Sequence, residues 1–347
     1  MQCPYGKVDV SHYIYQSNKG GKTYVPVWVG SQMIGDNTPR LSKMLSWKYA
    51  VMSGNNVCKD MKENHLVSFS KGFVQTSVEA VGELFSEHEH SWTYDLPEDI
   101  GEVSHISISR DGAHMPMSPS GWREAMCGSI SFYGADGQRL HTIYKACAPQ
   151  HGTQIFQSLM DSEMAEVKRR YPNAIYLGIA DGAKANWKQL STYADIHILD
   201  FFHVTEYVHQ AAKILQPTDI NARTTWTNET CHTLKHHKKG AKKILNQLKK
   251  AKKAANNPQQ AKELQVIITY FSNHLLQMDY ATFIQKGYPI GSGIIEAACK
   301  TLVKQRFCAS AMKWTIHISD QLLLLRGLVL TKGRWQKAWL NFNKIIA

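Results

Sequence analysis

Ala174-Ile175-Tyr176-Leu177-Gly178-Ile179-Ala180-Asp181-Gly182 lies near the middle of the 347-residue chain. Its seven almost wholly apolar residues, stopped by a polar turn, are too few for a typical helix and suit a strand buried on both faces. Downstream, residues 184–193 have helical texture and Ile196–Leu199 reads as another short strand. Upstream, 153–171 is helical, while 103–109, 127–133 and 139–146 alternate with the two-residue period of strands. The turn Gly134-Ala135-Asp136-Gly137 separates the last two, so three strands in a meander are expected. The order β-β-β-α-β-α-β predicts an α/β fold, a mixed sheet with helices packed on it.

Outside this block the texture changes. Residues 1–40 lean toward β, with a turn at Gly20-Gly21 and a small hairpin expected. Residues 41–90 are helical: Thr38 and Pro39 form a cap and first-position pair, and stretches 55–65 and 71–87 follow. This pair suits a DNA-reading helix-turn-helix, or a helical hairpin that packs on the next domain. The sheet block spans 103–203. Residues 204–286 are helical, and the stretch 232–262 holds ten Lys and no Asp or Glu. Residues 287–347 form two helices parted near 308–312, then an aromatic-basic tail.

Lys plus Arg total 40 against 28 acids, a net charge of +12, which points to a polyanionic partner, most often nucleic acid. Seven Cys include no C-x-x-C pair, against a disulfide framework or zinc ribbon. The spacing of Cys231, His232, His236 and His237 fits no standard zinc pattern. With no apolar run near ~18 residues and a polar stretch at 1–22, a soluble, cytoplasmic protein without membrane contact is expected.

Three acids carry the chemistry. Asp111 and Asp181 each close a strand and precede glycine, and a carboxylate there is costly to desolvate without a cation or strong hydrogen bonds. If the two strands are neighbours, both side chains project over one sheet edge and can share Mg²⁺, which prefers carboxylate oxygens. The alternative is that each Asp caps the turn after it. Glu296 follows Gly291-Ser292-Gly293-Ile294-Ile295, a flexible entry to a helix that carries Lys300 and Lys304 near the same face.

The strings Asp111-Gly112, Gly121-Trp122-Arg123-Glu124-Ala125, Ile179-Ala180-Asp181-Gly182-Ala183, Asp200-Phe201-Phe202-His203, Gly287-Tyr288-Pro289-Ile290-Gly291-Ser292-Gly293, Glu296-Ala297-Ala298-Cys299-Lys300 and Gly333-Arg334-Trp335 closely resemble the ISKra-type bacterial insertion-sequence transposases. The resemblance covers most of the chain. It implies a DDE transposase with a ribonuclease H-like core, Asp111, Asp181 and Glu296 as the triad, and a helical insertion before Glu296. Two Mg²⁺ or Mn²⁺ ions held by these acids would support strand cleavage and 3′-end joining on double-stranded DNA. It also brings the Asp-x-x-His signature of the wider Mutator-like group, Asp200 and His203. His203 is expected at the scissile phosphate or a catalytic carboxylate; the alternative is a packed histidine behind an Asp200 helix cap. Arg123, Lys300, Lys304 and Arg306 are expected to meet phosphates.

Members of that family are longer at the N-terminus, so this chain reads as a short or shortened member. That leaves two competing expectations: a non-catalytic DNA-binding remnant, and a ribonuclease H-like nuclease without strand transfer. Pairing two DNA ends calls for a homodimer or larger assembly.

Overall fold

A computed structural model describes residues 1–346 and, for side chains, all of these except 28, 29, 98, 151, 153, 345 and 346. Its centre is a five-stranded sheet: β1 (His105–Met117), β2 (Gly121–Tyr133), β3 (Arg139–Cys147), β4 (Ile175–Ala180) and β5 (Ile196–Leu199). The order is β3-β2-β1-β4-β5, with β1, β2 and β3 an antiparallel meander and β4 and β5 parallel to β1. The expected α/β fold with a mixed sheet is therefore present.

One difference bears on the site. Asp111 does not end its strand. The β1–β2 ladder runs on through Asp111↔Cys127 to Met117↔Gly121, so the two strands project as an arm beyond the rest of the sheet. Asp111-Gly112 looks like a strand end because Asp and Gly are poor strand formers, but cross-strand pairing decides the outcome.

Alternation along β1 sorts its side chains onto two faces. Ile106 and Ile108 pack with Phe156, Met160 and Met164 of α4 (Gly152–Arg170), and Leu190 of α5 (Lys184–Leu190) joins the same core. On the other face, Ala113, Met115 and Met117 share a core with the N-terminal helices α1 (Pro39–Val51), α2 (Gly54–His65) and α3 (Lys71–His88). That core also takes in Ile295 and Ala298 of α11 (Gly293–Ala298), α12 (Ile316–Leu330) and α13 (Arg334–Ile346). Val74, Val78, Val81 and Phe85 of α3 are buried there, so the helical hairpin packs tightly on the sheet domain. Thr38 caps α1 and Pro39 opens it, as the sequence predicts.

The region 204–286 forms α6 (Phe201–Leu215), α7 (Ile220–His236), α8 (Gly240–Ala254), α9 (Pro258–Asn273) and α10 (Tyr280–Gln285), around a third core that includes Leu177, Ile179 and Ile198 of the sheet. Along α8, Ala241, Ile244, Leu245 and Leu248 face inward. No ion pair engages the lysines of 238–253 among the described residues.

Residues 1–40 hold less β-structure than expected: two-residue strands Gln2–Cys3 and Gly6–Lys7, one bridge between Tyr15 and Tyr24, and a helical turn Pro26–Gly30. Tyr13 and Ile14 are exposed, so no apolar face is buried that could hold a longer hairpin together. Among the described residues no helix is long and apolar enough to cross a membrane.

Candidate functional site

The register of the three parallel strands brings the acids together. Ile108 pairs with Gly178, and three residues further on each strand stand Asp111 and Asp181. Ala180 pairs with Leu199, and the next residues are Asp181 and Asp200, whose N–H donates to the Ala180 carbonyl at 2.9 Å. Three carboxylates thus lie level across β1, β4 and β5. Asp111 shares parity with Ala113 and Met115, and Asp181 with Leu177 and Ile179, which places both on the face covered by α11 and the insertion.

Each of these two acids engages one oxygen with a backbone N–H just after it. Asp111 Oδ1 accepts from Gly112 N at 2.7 Å, while its Oδ2 lies 3.9 Å from Cys299 Sγ. Asp181 Oδ1 accepts from Ala183 N at 3.1 Å and Asn186 Nδ2 at 2.9 Å. Burial pushes the Asp111 carboxyl above its ordinary value against the Gly112 hydrogen bond, and the charges of Asp181, Glu124 and Glu296 push it the same way. Like charges therefore crowd around Asp111.

Glu296 arrives on α11, which continues through a π-helical turn, Cys299–Lys304, of the kind often found at functional sites. Its partner is Ser292, which sequence reading did not single out. Ser292 stands in the helix cap position, but with φ −87° and ψ 12° its hydroxyl makes no cap bond. It donates instead to Asp200 Oδ2 at 2.5 Å and stands 3.1 Å from Glu296 Oε1. Asp200, 3% exposed, also caps α6 by accepting from Phe202 N at 2.9 Å. The helix-cap alternative for Asp200 is thus realised, and its second oxygen ties β5 to the Glu296 helix. Ser292→Ala should slow any reaction at this site roughly 10–100-fold, as loss of such supporting partners does. Steady-state rates check this, and unaltered rates would remove Ser292 from the site.

His203 is half-buried, 3.7 Å from Glu206 Oε2 across one helical turn and edge-on to Tyr207. No hydrogen bond joins it to Asp111, Asp181 or Glu296 among the described residues. Arg123, Lys300 and Lys304 are exposed, and Arg123 donates to the Trp122 carbonyl at 3.1 Å beside an indole that is 61% exposed. Arg306 is a correction. It is 3% exposed, lies between the rings of Tyr49 and Trp314, and donates to the Tyr49 carbonyl at 2.8 Å. Its helix turns it inward, so it anchors the helical core and presents no face to phosphate.

A further side chain reaches the site from the insertion. Tyr270 of α9 packs against Gly182, where an added Cβ would come within 2.7 Å of the ring and 3.2 Å of the hydroxyl. Only glycine permits this approach next to Asp181. Burial raises the Tyr270 pKa, with the charges of Tyr207, Asp181 and Asp200 adding to it. Nothing local in the sequence marks this residue, because its proximity arises from packing of the insertion.

Among the described residues no three His, Cys, Asp or Glu side chains are gathered tightly enough to enclose an ion by themselves, and Cys231, His232, His236 and His237 form no such group. No protein-family model matches the chain, and no curated protein matches it in sequence.

Proposed function

We propose that the chain is a metal-dependent DNA transposase of the DDE type, with a ribonuclease H-like core, that cuts DNA strands and joins 3′-ends at insertion-sequence ends. The observation that carries this reading is the register of β1 and β4, which sets Asp111 and, just past the end of β4, Asp181 on one face, with Glu296 on a helix that packs on β1 and β2 and whose charge raises the Asp111 carboxyl. The mixed five-stranded sheet with helices on both faces is compatible with such a core.

The donor set suits a hard divalent cation because it is all carboxylate, and water and substrate phosphate would have to complete the shell, since no three such side chains among the described residues could hold an ion unaided. Asp111, Asp181 and Glu296 would hold Mg²⁺ or Mn²⁺. Two bound ions would supply an activated water or 3′-hydroxyl and neutralise the leaving oxygen of an in-line displacement. The chain's own contribution is position. Asn186 and the Ala183 N–H fix the Asp181 rotamer, Ser292 and Asp200 fix the approach of Glu296, and Lys300 and Lys304 lie on the same helical run for phosphate contact. The unpaired lysines of α8 add a surface for the DNA backbone. Assembly as a homodimer or larger complex follows from the need to hold two ends.

The test is Mg²⁺- or Mn²⁺-dependent nicking and joining of DNA carrying the flanking terminal repeats, with the unsubstituted chain beside Glu296→Gln. Cleavage and joining lost in the variant support the proposal. Cutting without joining would replace it with a nuclease. Tight, salt-sensitive binding with no cutting in either protein would replace it with a DNA-binding remnant.

A further inference from the structure

Tyr270 packs against Gly182 beside Asp181, and its hydroxyl has no hydrogen-bond partner although the oxygen is shielded from solvent. The ring is held on both sides. It stacks on Tyr207 at 3.8 Å with planes 14° apart, and His274 packs against it at 5.0 Å. Tyr207 in turn meets His203 edge-on, so a column of rings runs from α6 to α9 and ends at Gly182. A buried donor without a partner is unfavourable, and Asp181 does not supply one: its Oδ1 takes Ala183 N and Asn186 Nδ2, and no bond joins its Oδ2 to the phenol. A phenol is a neutral donor at neutral pH. Asn186 and Ser292 already give hydrogen bonds to the carboxylates, whereas the phenol has its donor free for an incoming anionic oxygen.

We propose that the Tyr270 hydroxyl donates to a non-bridging phosphate oxygen of a bound DNA strand beside Asp181, so that the insertion completes the site. The assignment deepens the transposase reading and rests on it for the identity of the strand. It also gives the Asp-x-x-His pair a division of labour: Asp200 orders Glu296 through Ser292, and His203 supports the Tyr207–Tyr270 stack.

The experiment compares the full chain with Tyr270→Phe, which keeps the stack and removes only the hydroxyl. Binding of a fluorescein-labelled duplex is measured without divalent ions, then repeated with duplexes in which single phosphates are replaced by neutral methylphosphonates. Tyr270→Phe is expected to weaken binding roughly tenfold, the worth of a hydrogen bond to a charged group, with an unchanged melting temperature. At one methylphosphonate position the difference between the two proteins should vanish, which a merely structural tyrosine would not produce. Equal affinities for the unmodified duplex, or a deficit that persists at every position, would overturn the assignment. A chain that cuts no DNA yet shows the position-dependent deficit would end the transposase reading and leave the Tyr270 contact standing. Cutting that depends on Glu296, with Tyr270→Phe binding normally, would do the reverse.

Discussion

Asp111→Asn is expected to lose nicking activity by on the order of 10³-fold or more, and yet to melt at the same or a higher temperature than the unsubstituted chain in metal-free buffer. Both effects have one cause. Burial and the charges of Asp181, Glu124 and Glu296 raise the Asp111 carboxyl above its ordinary value, so ionising it costs the fold stability. An amide of the same shape removes that cost and also removes the ligand. The sign follows: with a folded-state value above the unfolded one, the metal-free chain gains stability as pH falls through the raised value toward the ordinary one, and the variant lacks this gain. A divalent ion that binds only the folded carboxylates should raise the melting temperature of the unsubstituted chain and barely move that of Asp111→Asn. Calorimetry with and without Mg²⁺, beside a gel assay for nicking, reads all of this. A variant that still nicks, or melts several degrees lower, would show that the carboxylate serves structure.

The second large effect lies away from the acids. Arg334, 4% exposed at the start of α13, grips Glu163 of α4 with both guanidinium nitrogens, the Nη1 contact at 2.8 Å, and covers the Tyr94 ring. Lys145 of β3 completes the network, 3.3 Å from Glu163 and 2.8 Å from Glu89. Burial alone would raise the Glu163 carboxyl, but Arg334 and Lys145 outweigh it and hold the value at about 2. Arg334→Met strands a buried carboxylate and should cost about 3–5 kcal/mol, seen as an earlier midpoint in urea. In the unsubstituted chain, Glu163 contributes stability that is present above its ordinary value near 4.5 and lost as pH falls toward about 2. The full span is worth roughly 3 kcal/mol. The variant should lose most of that acid dependence. An unchanged midpoint would mean that α13 is held by Trp335, Trp339 and Phe342 alone, which pack around Phe85.

The same helix shows how far local sequence carries. Gly333-Arg334-Trp335 reads as the start of an aromatic-basic tail, a description that suits a surface. In the structure its arginine and aromatics are interior, because partners nearly two hundred residues away neutralise the one and cover the others. Arg306 follows the same rule, and a cation on the same helical run as an acid gives no sign that its turn faces a core. The acids were more legible. At Asp181 a strand closed by Asp-Gly carries its own signal, since a carboxylate at the end of an apolar run needs a reason to be there, whereas at Asp111 the strand runs on.

Local pattern by itself determined the strand and helix content of the central block, the meander and the capped entry to α1. These rest on periodicity and turn chemistry, which act between residues a few positions apart. Only the tertiary structure decided the rest: the continuation of β1 and β2 past Asp111, the level register of Asp111, Asp181 and Asp200, the Ser292 link to Glu296, and the packing of Tyr270 against Gly182. Each of these depends on pairing or packing between segments far apart in the chain. Such contacts form only when the hydrophobic faces on several elements are buried together, and no short stretch of sequence contains that information.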